Sequence, residues 1–273
     1  MKTLEYIAEL EGEKTLKEYL PTLGLSVTLI RKIKHCGIFV DGESCTVRKT
    51  VKQGSKITLI LPDEKSDGIK PIDIPLNIVY EDDWLLVVDK PTNMPTHPSR
   101  GNSLPTLANA VMAKYNGDFV FRSITRLDRD TSGLVLIAKD ANTANLLSRE
   151  IKLGRVYKRY VALVTGVPKK EHGIIDAPIR REAEGSMKRI VSPDGKSAIT
   201  EYLVKEIRGE NALCDVILHT GRTHQIRVHF AHIGHPLLGD FLYGERRDEG
   251  YFLRCSELRF THPHTKEAVN IRI

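Results

Sequence analysis

No stretch of this 273-residue chain approaches the eighteen or so apolar residues that a membrane span requires. The first six residues, Met1-Lys-Thr-Leu-Glu-Tyr6, lack the charged-then-apolar order of a secretory signal, so a cytoplasmic protein is expected. Cysteine is scarce. Cys36, Cys45, Cys214 and Cys255 lie far apart and none belongs to a Cys-x-x-Cys pair, which leaves a zinc ribbon without support and predicts four reduced thiols. There is no Gly-Lys-Ser/Thr phosphate loop and no Gly-x-Gly-x-x-Gly, so the sequence marks of nucleotide-cofactor binding are absent. Internal repeats and low-complexity tracts are also missing. The single tryptophan, Trp84, follows Asp82-Asp83 at a turn, where a packing role is expected.

What is present suits a folded enzyme-sized chain. The 41% hydrophobic content is adequate for a packed core, and the length allows one large domain plus a small one. The net charge of +6 and a pI near 9.0 favour an anionic partner, with RNA among the possibilities.

Residues 1–60 read as a separate small module. Leu16, Tyr19, Leu20 and Leu23 have helical spacing. Ser26 is placed to cap a second helix, with Leu29, Ile30 and Ile33 on its apolar stripe and Arg31, Lys32, Lys34 and His35 on the other face. A strand and turn at Gly37–Gly42 and an alternating strand ending at Ile60 follow. The three prolines and polar cluster of residues 61–76 predict a linker. Residues 77–273 mix short strands with few helices. A hairpin turns at Glu81–Asp83, a helix is predicted over Leu104–Tyr115, and Asp140 caps another running to Leu153. Further strands are expected at 157–165, 187–192, 198–206 and 212–219, then a helix opened by Thr223 and closed by Gly234, then two final strands. Strands that do not alternate regularly with helices predict an α+β fold.

Arg126-Leu-Asp-Arg-Asp-Thr-Ser-Gly133 is the most informative segment. It sets Asp128 between two arginines, ahead of the apolar run Leu134–Ala138, which reads as a buried strand. Charged loops beside such strands are where a rigid scaffold presents chemistry; an exposed ion-pair cluster is the alternative. Asp130 is a rival carboxylate that spacing alone does not eliminate.

This segment resembles the signature of the RluA-type pseudouridine synthases. Gly221-Arg-Thr-His-Gln-Ile-Arg-Val-His229 and Lys158-Arg-Tyr-Val-Ala162 agree with it, and Asp89-Lys-Pro91, residues 195–200 and residues 260–265 echo it more weakly. The blocks fall in order from about residue 78 to the end. Two positions depart from the pattern: Thr125 stands where a histidine usually precedes Arg-Leu-Asp, and Leu253-Arg254-Cys255 replaces the usual Leu-His-Ala. Residues 1–60 are similar to an S4 RNA-binding domain, with Arg31, Lys32 and Lys34 facing RNA.

The resemblance implies a mixed, mostly antiparallel sheet with a central cleft. It also implies isomerisation of uridine to pseudouridine in structured RNA, with no cofactor, since the reaction has no redox step and no energy input. Large-subunit ribosomal RNA is the expected target and tRNA the alternative; a monomer is expected. Asp128 falls in the register of the catalytic aspartate; a carboxylate can stabilise or attack a sugar as its glycosidic bond breaks, as in glycosidases, and the sequence leaves open whether Asp128 adds to C1′ or removes the 2′ proton. Arg222 is implied as its cationic partner, Tyr160 as the residue against the base, and Arg126 as the side chain that fills the space left by a flipped base.

His224, His229, His232 and His235 invite a metal reading, since His229 and His232 lie one helical turn apart. No acidic residue in the block completes a zincin-type motif and the helix needs a polar face, so no metal is expected. The competing functions are a non-catalytic RNA-binding or assembly factor, and a hydrolase that pairs Asp128 with Asp130.

Overall fold

The computed structural model describes residues 2–273 apart from 36, 65–67 and 100–104. The expected thiol of Cys36 and the expected helix start at Leu104 lie outside the described residues. Among the described residues two large apolar cores organise the chain, beside a small cluster of Ile179, Ala198 and Val228. The first gathers residues between Leu4 and Leu61, and the second residues between Leu85 and Ile271. Trp84 packs against both.

The smaller core is enclosed by β1 (Lys2–Ile7), β2 (Glu13–Thr15), α1 (Leu16–Tyr19), a 3-10 turn over Leu20–Leu23, α2 (Val27–Ile33), β3 (Ile38–Val40), β4 (Glu43–Ser44), β5 (Thr50–Lys52) and β6 (Lys56–Leu61). Ser26 caps α2 as its position predicts, its Oγ accepting from the Leu29 amide at 3.1 Å. The expected first helix is split because Pro21 opens a separate 3-10 turn. Strand β1 was not expected. It pairs antiparallel with β6, making the order β1-β6-β3-β4.

The larger core is built from β7 (Asn77–Glu81), β8 (Leu85–Lys90), α3 (Leu107–Lys114), β9 (Arg122–Ser123), β10 (Ser132–Ala138), α4 (Ala141–Lys152), β11 (Tyr157–Val164), β12 (His172–Asp176), β13 (Ile179–Arg181), β14 (Arg189–Val191), β15 (Ile199–Arg208), β16 (Asn211–Leu218), α5 (Gln225–His232), β17 (Leu253–Thr261) and β18 (Ala268–Arg272). Ten strands form one sheet with the path β12-β15-β16-β11-β17-β10-β8-β7; β18 adds to β17 and β9 to β10. Every pairing in it is antiparallel except β10 with β17. This is the mixed, mostly antiparallel α+β architecture expected. At the parallel contact a Cβ on Gly133 would sit 2.2 Å from the Cys255 carbonyl oxygen, so the two backbones approach this closely only with glycine there. β10 is buried from Gly133 to Ala138, which is why its sequence is a continuous apolar run.

Residues 69–76 lie along the larger core. Ile69, Ile74 and Leu76 pack on it, the Ile72 amide donates to the Asn109 carbonyl, and Asn109 Nδ2 donates to the Lys70 carbonyl. Lys2 bridges the two cores, its Nζ 2.8 Å from Asp140 Oδ2 and 3.5 Å above the Trp84 ring, which stacks on His264. Among the described residues no helix is long and apolar enough to cross a membrane.

Candidate active site

The segment between β9 and β10 is a loop pinned at almost every residue. Thr125 is buried and its Oγ1 accepts from the Leu136 amide at 2.9 Å. Thr96 Oγ1 donates to the Leu127 carbonyl. The Arg129 carbonyl accepts from the Met94 amide and from Lys90 Nζ. Lys90 is fully buried, and its ammonium also donates to the carbonyls of Pro91 and Met94. Burial pushes its pKa down to about 8, against the pull of Asp130, Asp128 and Asp89. A pinned loop thus presents Asp128, whose side chain is partly exposed.

Asp128 opens into a cavity of about 600 Å³. Arg126, Arg129, Lys158, Arg222 and Arg227 line it, together with Tyr160, His224 and the apolar Ile226 and Leu253. Among the described residues Asp128 is its only acidic lining residue. The rival, Asp130, is held in a fork by Arg129 at 2.8 and 2.9 Å and does not line the cavity.

The expected pairing of Arg222 with Asp128 is not what the chain forms. Arg222 sits at the rim, its Nε donating to the Ser197 carbonyl at 2.9 Å. Arg227 stands against Asp128 instead, with Nη1 3.5 Å from Oδ2. The other edge of its guanidinium grips Asp240 through two hydrogen bonds of 2.7 Å. Tyr251, Tyr243 and Phe241 surround it at 4.6, 5.0 and 5.6 Å. Burial is the largest influence and opposes its charge, but the bonds to Asp240, together with Tyr251 and the charges of Asp240 and Asp128, outweigh it, and its pKa stands above the ordinary arginine value. Helix geometry explains the swap. α5 begins at Gln225, after His224 in the left-handed conformation with φ 58°, and Arg227 therefore lies inside the helix, one turn from His224 and on the same face. Asp240, fully buried and thirteen residues further on, was the missed signal.

Tyr160 lines the cavity from β11 as expected and is 5% exposed. Burial, reinforced by Cys255 and by the charge of Asp128, holds its pKa well above the ordinary tyrosine value. Lys158, two residues earlier, faces the same cavity, and burial lowers its pKa. Arg126 is exposed on the lining. Arg254, one of the two departures, pairs with Asp89 at 2.8 Å. His224 Nε2 lies 3.8 Å from Asp128 Oδ2. His229 is fully buried, with Nδ1 on Thr200 Oγ1 and Nε2 on the Ala177 carbonyl, so both nitrogens serve packing.

The three residues expected to face RNA on α2 divide. Arg31 is exposed and Lys34 half-buried, whereas Lys32 Nζ is 2.8 Å from Glu64 Oε1. Glu64 also pairs with Arg122, so Lys32, though half exposed, is engaged by a carboxylate of its own chain.

A pinned loop presenting Asp128, a buried arginine behind it and a basic cavity on a mostly antiparallel sheet suit an enzyme that handles an anionic polymer or its units. Comparison with known proteins makes this specific. Residues 84–232 match the family model described as RNA pseudouridylate synthase. The chain is 39% identical over 261 residues to an uncharacterized RNA pseudouridine synthase, YjbO, of Bacillus subtilis, covering 93% of this chain and 92% of that one. It is 37% identical over 235 residues to ribosomal large subunit pseudouridine synthase D of Xanthomonas campestris, covering 85% and 70%. The solved human RNA pseudouridylate synthase domain containing 1 superposes with a TM-score of 0.60 at 30% identity, covering 73% of this chain and 83% of that one. The chain belongs to the RNA pseudouridylate synthase family.

Proposed function

We propose that this chain isomerises particular uridines to pseudouridine in large-subunit ribosomal RNA, with Asp128 as the catalytic carboxylate. The observation that carries this reading is that, among the described residues, Asp128 is the one carboxylate in a cavity whose lining includes five cationic side chains. The cations suit phosphates on either side of a flipped nucleotide, and the volume lies in the range of pockets that enclose one small ligand. When C1′–N1 breaks, the electron pair leaves on the uracil and positive character develops on the sugar. Asp128 stands as the anion that meets it, held by Arg227. Tyr160, whose environment keeps it a phenol at neutral pH, offers a face for the base to stack on rather than acting as a phenolate base. Arg126, at the exposed edge, is placed to fill the space the base vacates, and Arg222 at the rim to meet the RNA backbone. The ribosomal target rests on relatives such as the Xanthomonas enzyme named for the large subunit.

In this reading residues 1–60 form an S4-like RNA-binding module in which Arg31 and Lys34 meet phosphates. A monomer acting in the cytoplasm on RNA there is the working unit in this reading. The test is to map pseudouridines in RNA from cells lacking this gene, complemented with wild type or with Asp128→Asn. At least one large-subunit site is expected to vanish on deletion and return only with wild type. A site restored by Asp128→Asn removes Asp128 from catalysis, and a lost site in tRNA alone reassigns the target.

A further inference from the structure

The histidine facing Asp128 carries information about protons that the family membership does not supply. Tyr243 Oη accepts a hydrogen bond from the Arg189 amide at 2.9 Å and lies 2.8 Å from His224 Nδ1. An amide nitrogen only donates, so the phenol's own hydrogen remains to be placed. Among the described residues His224 Nδ1 is the only acceptor within hydrogen-bonding reach of it. A neutral imidazole that accepts at Nδ1 carries its proton on Nε2. That nitrogen points at Asp128 Oδ2 across 3.8 Å.

The charges around the ring agree. Burial lowers the His224 pKa; Asp128 and Asp240 pull it up, and Arg227 and Arg189 push it down. The net direction favours the neutral ring. A neutral ring beside a carboxylate is stable with N–H, not a lone pair, toward the oxygen.

We propose that His224 is a positioning residue for Asp128: Tyr243 fixes it as the Nε2–H tautomer, and its N–H joins Arg227 Nη1 on Oδ2, which leaves Oδ1 as the oxygen that reacts with the ribose. This rests on the reading of Asp128 as the catalytic carboxylate. Both donors converge on the same oxygen, at 3.8 and 3.5 Å, and catalytic contacts of this length tighten when substrate closes the site. The chain keeps His224 in the left-handed region, φ 58°, a conformation that costs a non-glycine residue energy and is retained where the surroundings demand it. Here it brings both ring nitrogens onto their partners. Arg189 begins the second strand of the hairpin that also carries Arg180 and Arg181, so the phenol links the backbone of a basic hairpin to the reacting carboxylate.

The test begins on the wild-type protein. Long-range proton–nitrogen correlation spectra of the ¹⁵N-histidine-labelled full chain, with His224 assigned by its loss in His224→Gln, are expected to show a protonated Nε2 and a bare Nδ1 at neutral pH. Tyr243→Phe is expected to shift that nitrogen pair toward the other tautomer. A wild-type ring protonated at Nδ1, or at both nitrogens, overturns the proposal. Turnover supplies the second arm. Glutamine reaches about as far as Nε2 and keeps an N–H there, whereas asparagine is too short. Asparagine, however, accepts the left-handed backbone more readily. His224→Asn is expected to lower kcat about ten- to a hundredfold with KM for RNA unchanged, and His224→Gln to lose several-fold less. The reverse order, or losses confined to KM, would show that only backbone shape matters and overturns the role. The spectra need no turnover, so failure of the tautomer assignment stays separate from failure of Asp128 as the catalytic group, which Asp128→Asn reports by itself.

Discussion

Two carboxylates share the guanidinium of Arg227, and their unequal contacts define its work. Asp240 holds it by a fork of 2.7 Å bonds, while Asp128 meets its remaining nitrogen at 3.5 Å. The first pair fixes direction; the second presents charge to the cavity. Arg227→Met strands a fully buried Asp240, which is expected to cost about 3–5 kcal/mol of stability. Arg227→Lys keeps the charge without the fork and is the variant to assay. It is expected to lower the single-turnover rate by about a hundredfold, whereas Arg222→Ala, at the rim, is expected to raise KM for RNA and change the rate little. A larger rate loss from Arg222→Ala than from Arg227→Lys would restore Arg222 as the partner of Asp128.

The Asp128 loop owes its rigidity to the end of β8. Lys90 Nζ ties the carbonyls of Pro91, Met94 and Arg129 together from a fully buried position. This has a pH signature. Its folded pKa of about 8 lies below the ordinary lysine value of 10.5. Between those values the unfolded chain holds a proton that the folded chain has released, so stability rises with pH across that window. Below about 8 both states are protonated and the slope from this group vanishes. The difference in unfolding free energy between wild type and Lys90→Met, followed from pH 8 to 10.5, is expected to grow by about 3 kcal/mol; a flat difference contradicts the burial of a charged lysine here. Elements of this kind were legible in proportion to how local their causes are. Ser26 and Asp140 cap helices by bonds three residues long, and the run Leu134–Ala138 announces its own burial. Strand β1 was not legible, because its partners on β6 lie 49 to 59 residues away and its own sequence alternates only weakly. The parallel contact of Gly133 with Cys255 joins segments that no local pattern connects. Of the site residues the sequence blocks named, Asp128 and Tyr160 line the cavity, whereas Arg222 stands at its rim and Arg227 meets Asp128, because the left-handed turn at His224 and the distant Asp240 that orient Arg227 leave no mark in the local pattern.

The two cores meet along Lys2, Trp84 and Asp140 on one side and Glu64, Lys32 and Arg122 on the other. The basic face of α2 is therefore smaller than its composition implies. If Arg31 and Lys34 meet phosphates, replacing both with glutamine is expected to flatten the dependence of log affinity on log salt by about one unit or more. Lys32→Gln is expected to leave that slope nearly unchanged, since its charge is spent on Glu64; equal effects from all three positions would mean that the ion pair opens on RNA. Isomerisation of uridine through Asp128 is decided by tritium release from RNA carrying C5-tritiated uridine. The RNA is prepared from cells lacking the gene, and the wild type and Asp128→Asn are compared with no cofactor added. Release by wild type alone, with RNA binding retained by Asp128→Asn, is the predicted result. Equal release by both proteins, or none from either while both bind RNA, would contradict it.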